Sequence, residues 1–285
     1  MSVRKRSVQA LERYLQATSG LRMMPDFLIV GTQRGGTTSL YRYLAEHPCM
    51  APTLVSKGVG YFDTRYGRGS SWYRGHFPLL AYRSLHGAVA RTPLLTGEGS
   101  PYYLFHPLAA ERAAATVPDA KIIAMLRNPV TRAYSHYQHE VEGGFEDLGT
   151  FEEAIEAEPD RLAGESNRLV SDPSATSFAH RHHSYLARGH YADQLETWYR
   201  SFPREQVFVL RSEDLFGDPE TAYGEVLGFL GLPSASLRNY KQYNAHGAPT
   251  GMKPETRIRL EDHFAEPGQR LADLLGQRFT WSFEG

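Results

Sequence analysis

The chain has one cysteine in 285 residues, Cys49, so an internal disulfide is excluded. It has no Asn-x-Ser/Thr acceptor for N-glycosylation. Both absences fit a reducing, cytoplasmic setting. Excess charge is missing too. The formal net charge is -1 and the sequence pI is about 6.9, so there is no global attraction to nucleic acid or to an anionic membrane, and any anion must be held by a local cluster. No apolar run is long enough for a signal peptide or a membrane span. The first 24 residues instead set Arg4, Lys5, Arg6, Arg13 and Arg22 against Glu12, and read as a basic extension or frayed amphipathic helix ahead of a single domain at 25–285. Internal repeats and low-complexity segments are absent as well.

What is present is an α/β pattern. Phe27 to Val30 is a short apolar run fit for a parallel strand, Gly31, Gly35 and Gly36 let the backbone turn back, and Leu40, Tyr43 and Leu44 restart the apolar pattern at helical spacing. Such a loop aims unpaired amides at an anion at the positive end of a helix. Lys121 to Leu126 is a second run suited to burial on both faces. It leads into Arg127-Asn128-Pro129, where Asn128 is a good N-cap and Pro129 a good first helical residue for a helix through about Val141. Val207 to Leu210 reads as a third strand and Leu94 to Glu98 as a shorter one.

Between these strands the spacing predicts helices at Pro107 to Val117, from the Thr150/Glu153 capping box to about Glu158, at His190 to Phe202, and from Asp218-Pro219 to Gly231. Pro254 to Phe264 and Gln269 to Leu275 read as closing helices. The aromatic, glycine-rich stretch Met50 to Tyr82 reads as a surface-crossing segment that walls a cleft or packs onto the core, and Pro159 to Ser177 as a lid or surface loop. Strands alternating with helices imply a central parallel sheet with helical layers, and ligands in such sheets sit beyond the carboxyl ends of the strands. Gly31 to Thr38 and Arg127 to Asn128 both fall there.

Against the nucleoside-triphosphate loop, Gly-x-x-x-x-Gly-Lys-Ser/Thr, this chain reads Gly31-Thr32-Gln33-Arg34-Gly35-Gly36-Thr37-Thr38, with Thr37 where the lysine belongs. That loss argues against a kinase or ATPase, and the surviving amides, hydroxyls and guanidinium suit a single phosphate bearing a transferable group. Val30 to Leu40, taken with Leu126-Arg127-Asn128-Pro129 and the following Ser135-His136-Tyr137, resembles the sulfotransferases that use 3′-phosphoadenosine 5′-phosphosulfate (PAPS), in particular the heparan sulfate and carbohydrate branch. The resemblance runs on through Arg188-Gly189-His190-Tyr191 to Phe279-Thr280-Trp281. It implies a P-loop-like three-layer fold, with Arg34, Gly35, Gly36, Thr37 and Thr38 on the phosphosulfate and Arg127 and Ser135 on the 3′-phosphate. Arg188 and Tyr191 are placed near the nucleotide or the acceptor mouth. Arg132 is read as one half of a core-edge ion pair.

In the heparan branch a lysine-glutamate-x-histidine segment supplies the catalytic base. Here it reads Lys57-Gly58-Val59-Gly60, so both acid-base positions are glycine and an open space beside the reactive centre is expected. Lys57 remains to touch the sulfonate or bridging oxygen, and Arg34 to stabilise the leaving phosphate oxygen. Glu98, at a strand end expected to face the cleft, is the leading base, or else a structural carboxylate paired with Arg34 or Lys57; His136 and His139 follow. His180-Arg181-His182-His183 has no neighbouring Cys or carboxylate at a metal-site spacing and reads as an acceptor-binding loop or a solvated face, with no metal. The expected reaction moves a sulfonate to a hydroxyl of a carbohydrate or small-molecule acceptor, without nucleic acid or an integral membrane segment. Competing readings are a nucleotide or small-molecule kinase, or a homologue that binds the nucleotide but has lost catalysis.

Overall fold

The apolar runs lie side by side in one sheet. In the computed structural model, which describes residues 11–243, 251–276 and 279–281, β1 spans Phe27–Gly31, β2 Gly97–Gly99, β3 Lys121–Leu126 and β4 Val207–Arg211. Their order is β2-β1-β3-β4 and every pair is parallel. Successive side chains on a strand point to opposite faces, which is why these runs are apolar throughout. Phe27, Ile29, Ile123, Met125 and Leu210 pack into one layer, beneath Thr37–Ala45 and Pro219–Leu230. Leu28, Val30, Ile122, Ala124 and Val209 pack into the other, beneath Ala109–Thr116 and Tyr191–Ser201. A third cluster joins the helices Pro129–Glu142, Phe151–Leu162 and Pro254–His263 around Tyr185 and Phe264. This is the expected three-layer P-loop-like architecture.

The local signals carry through. Asn128 Oδ1 accepts from the amides of Val130 and Thr131 at 3.0 and 3.1 Å, and Thr150 with Glu153 closes a capping box. Several segments differ from expectation, and the strand expected at Leu94 to Glu98 spans only Gly97–Gly99. Pro159 lies within Phe151–Leu162 and does not end it, because it fixes a helical φ and gives up only one hydrogen bond. The expected lid beyond it then holds a further helix, Glu165–Ser171, pinned by buried Leu169. A helix at Leu80–Ala90 follows the aromatic segment with none of its residues buried, so it has no inward apolar stripe that a sequence pattern could register. Of the basic extension, residues 11–17 are helical with Leu15 buried and Ser19–Leu21 forms a short 3-10 turn, while residues 1–10 lie outside the described residues. Arg132 is fully buried, but no carboxylate lies at ion-pair distance among the described residues; its Nη2 donates to the carbonyl of Tyr185.

Candidate active site

Everything in the predicted cradle converges at the carboxyl end of β1. Gly36 takes φ 87°, a left-handed conformation that glycine adopts without a Cβ penalty, and the helix Thr37–Ala45 starts immediately after it. Gly35 packs against the carbonyls of Thr32 and Met125, where a Cβ would stand 3.0 Å from each oxygen. Arg34 is itself held at φ 69°, a strained geometry of the sort found at ligand sites. Arg34, Gly36, Thr37, Thr38, Lys57 and Arg127 line one groove. Arg34 Nε donates to Ser135 Oγ at 3.0 Å, and Arg127 Nη1 donates to the Arg34 carbonyl at 3.1 Å. Arg127 also borders a second groove that runs past Asn128, Arg211, Phe216 and Trp281, and the two grooves share Arg127, Phe216 and Gln242 to form one continuous track.

The lysine missing from the loop's own sequence is replaced in space by Lys57. Lys57 Nζ donates to Thr37 Oγ1 at 3.0 Å and to Thr38 Oγ1 at 3.1 Å, from the segment that crosses over β2. Burial lowers its pKa to about 8, with the charge of Glu98 acting in the opposite sense.

Glu98 does not face the cleft. It is fully buried, its Oε1 accepting from the hydroxyls of Tyr73 and Tyr103 at 3.0 and 2.7 Å, and its Oε2 from Val59 N and Ser100 Oγ at 2.7 and 2.6 Å. Burial raises its pKa while these donors pull the other way. Every lone-pair site is committed to fixing the Lys57 segment, which makes Glu98 a positioning carboxylate. The space expected at the two glycines is also closed on one side. A Cβ at Gly58 would stand 2.7 Å from the Gly99 carbonyl, and Gly60 takes φ 64°. These glycines are required by the backbone here, and a glutamate at 58 does not fit.

His136 is likewise enclosed. Its Nε2 lies 3.1 Å from Glu140 Oε1, and burial drops its pKa to about 3, so it is neutral and out of reach of either groove. Arg188 and Tyr191 stand behind this track. The Tyr191 hydroxyl donates to the Arg127 carbonyl at 2.7 Å, while buried Arg188 stacks on Tyr102 and Phe105 and donates to Gln33 Oε1. Both brace residues that line the track.

A second chamber adjoins the first, walled by Asp63, Arg65, Glu140, Arg181 and His182. Glu140 is its hub. Oε1 accepts from Gln33 Nε2 at 2.9 Å and pairs with His136, and Oε2 lies 2.7 Å from His182 Nδ1. Burial pushes the Glu140 pKa up, but the hydrogen bonds from His136 and His182 outweigh it and hold the group well below the usual carboxylate range. Sequence reasoning missed Gln33, Glu140 and Asp63. For Glu140 a signal exists, since it lies four residues after His136 on one helix face. Gln33, Lys57, Pro101 and His139 line both chambers. Among the described residues no group of His, Cys, Asp and Glu is arranged to hold a metal ion.

A cradle at a strand end, a second cation brought in by Lys57 and an adjoining chamber suit an enzyme that transfers a group from an anionic donor. Residues 24–246 match the sulfotransferase domain, and the chain belongs to the sulfotransferase family. It is 34% identical to human heparan sulfate glucosamine 3-O-sulfotransferase 3B1 over 85% of this chain and 55% of that protein. It is 26% identical to the membrane-associated sulfotransferase kil1 of Dictyostelium discoideum over 98% of this chain and 71% of that one. The crystal structure of a sulfotransferase from Alicyclobacillus acidocaldarius aligns with a TM-score of 0.63 at 32% identity, covering 89% of this chain and 96% of its own. The chain is therefore a sulfotransferase that takes its sulfonate from PAPS, and the kinase reading is set aside.

Proposed function

We propose that the donor lies along the paired grooves, with its phosphosulfate on residues 34–38 and Lys57 and its 3′-phosphate against Arg127 and Ser135. The acceptor, a hydroxyl-bearing carbohydrate or small molecule, enters the chamber beside Glu140 and His182. One observation carries this reading: the two spaces share Gln33, Lys57, Pro101 and His139, so donor and acceptor meet at those residues. In-line transfer forms a bond from the acceptor oxygen to sulfur and breaks the bond from sulfur to the phosphate oxygen. Lys57 and Arg34 neutralise charge building on that leaving oxygen. His139 is exposed at the junction and takes the acceptor proton on its imidazole, while His182, oriented by Glu140, holds the acceptor hydroxyl.

A carbohydrate acceptor is supported by the likeness to sulfotransferases named for heparan sulfate. A cytoplasmic setting is supported by the unpaired, buried Cys49, and residues 25–285 are read as one catalytic domain. No helix among the described residues is long and apolar enough to cross a membrane. The test is calorimetry with 3′,5′-diphosphoadenosine and ATP, followed by an acceptor screen with labelled PAPS. Binding of the first nucleotide alone, with label transferred to a saccharide, is expected; binding of ATP alone, or no transfer to any hydroxyl, overturns the reading.

A further inference from the structure

The helix Leu80–Ala90 is amphipathic in the wrong sense. Its half-buried positions are the polar ones: Arg83, bonded to Asp26, and His86, whose Nε2 lies 3.2 Å from Thr92 Oγ1. The apolar side chains point away from the protein, with Tyr82 55%, Leu85 63% and Val89 77% exposed. Tyr82, Leu85 and Val89 follow the three- and four-residue spacing of a single helix face. The patch continues onto the neighbouring chain. Arg22 bridges Leu79 in antiparallel fashion, which sets exposed Leu21 beside exposed Leu80.

The charge around this patch names its partner. No acidic residue occurs between Asp63 and Glu98; of the arginines in that stretch, Arg74 bonds the carbonyl of Arg22 beside Leu79, Arg83 lies on the helix and Arg91 at its end, while Arg65 belongs to the wall of the second chamber. The two nearest acids on the preceding segment are already engaged, Glu12 by Arg68 and Asp26 by Arg83. Asp119 lies behind the helix in a groove it shares with Arg83 and Lys121. Arg91 stands exposed at the helix end, and Arg13 is exposed on the helical stretch 11–17 that leads into Leu21 and Arg22. An apolar stripe rimmed by arginine fits the interface of an anionic bilayer. A second copy of this chain would set arginine against arginine.

We infer that Leu80–Ala90, with Leu21 and the surrounding arginines, is a docking surface for anionic lipid. It adjoins Asp26, at the amino end of β1, whereas the nucleotide cradle lies at the carboxyl end. A docked molecule therefore holds its cleft turned to the aqueous side.

The test is co-sedimentation of the full chain with phosphatidylcholine vesicles, with and without phosphatidylserine, at low and high salt. Binding to the serine-lipid vesicles that weakens with salt is expected, and the double variant Leu85→Asp/Val89→Asp is expected to bind at least about tenfold more weakly. Arg91→Glu is expected to weaken binding at low salt and reduce its salt dependence. Transfer of sulfonate to a soluble acceptor is expected to be unchanged in both variants, which separates loss of docking from loss of folding or of chemistry. Absence of vesicle binding, or binding that the double variant retains, overturns the inference. A dimer of the wild type in size exclusion that the double variant dissociates assigns the patch to a second copy and also overturns it.

Discussion

Replacing Lys57 by methionine keeps the length and apolar stem of the side chain and removes only the charged donor. The structure gives that donor two hydroxyl partners, Thr37 and Thr38, on the first turn of the helix that forms the cradle. If Lys57 Nζ stands over the transferring group when the donor is bound, loss of a charged hydrogen bond weakens nucleotide binding by about 1.5–3 kcal/mol. Loss of a preorganised cation at the leaving oxygen lowers kcat by a further factor on the order of 10²–10³. The assay is steady-state transfer at saturating PAPS, with calorimetric affinity for 3′,5′-diphosphoadenosine measured separately. Lys57→Arg is expected to recover part of kcat. The pH profile supplies an independent check: with its pKa lowered to about 8, Lys57 is charged below that pH and neutral above it. The kcat/KM of the wild type therefore falls as pH rises through about 8, and the methionine variant loses that limb. A variant with kcat within a few-fold of wild type, or with the alkaline limb intact, refutes the assignment.

Arg127→Ala is expected to cost about 1.5–3 kcal/mol of affinity for 3′,5′-diphosphoadenosine by calorimetry, and unchanged affinity removes it from the 3′-phosphate. His139→Gln is expected to lower kcat about a hundredfold while nucleotide affinity holds, and near-normal turnover moves the search for the base to His182. Glu98→Gln must turn an amide toward donors that a carboxylate satisfies, and is expected to lose about 1–3 kcal/mol of stability in a denaturant titration; full stability with a large loss of kcat would return Glu98 to a chemical role. Gly58→Glu, which restores the residue found in the heparan branch, is expected to lower both stability and turnover because its Cβ meets the Gly99 carbonyl, and a gain in activity would refute that packing argument.

The loop, strand and cap assigned to the donor were readable as local structure because each uses consecutive backbone. Gly31 to Thr38 is one loop, Lys121 to Leu126 is one strand, and the cap at Asn128 is local chemistry. The arrangement around the second chamber was readable only in part: Lys57, His139 and the run His180 to His183 were named from sequence, but the contacts that join Glu140 to Gln33 and His182 form only in space. Lys57 reaches Thr37 from twenty residues away, and Glu140, beside His136 on its own helix, joins Gln33 and His182 from two other segments. Glu98 was misplaced for a related reason. A strand-end carboxylate looks the same in sequence whether it faces solvent or lies under a glycine-containing crossover, and only the hydroxyls of Tyr73 and Tyr103 reveal which. The helix Leu80–Ala90 escaped because its apolar face points outward, so composition gave no inward stripe to find.

Glu140 also bears on how this enzyme can change. One carboxylate serves the proposed donor loop through Gln33 and the proposed acceptor wall through His182, while Arg188 grips Gln33 from the opposite side. A substitution that retunes the acceptor wall at this point disturbs the donor loop in the same step. New acceptor preferences are therefore most accessible through Asp63, Arg65 and Arg181, which wall the chamber without bonding to that loop, and lineages that alter acceptor choice should keep the glutamine, glutamate and arginine together as one inherited unit.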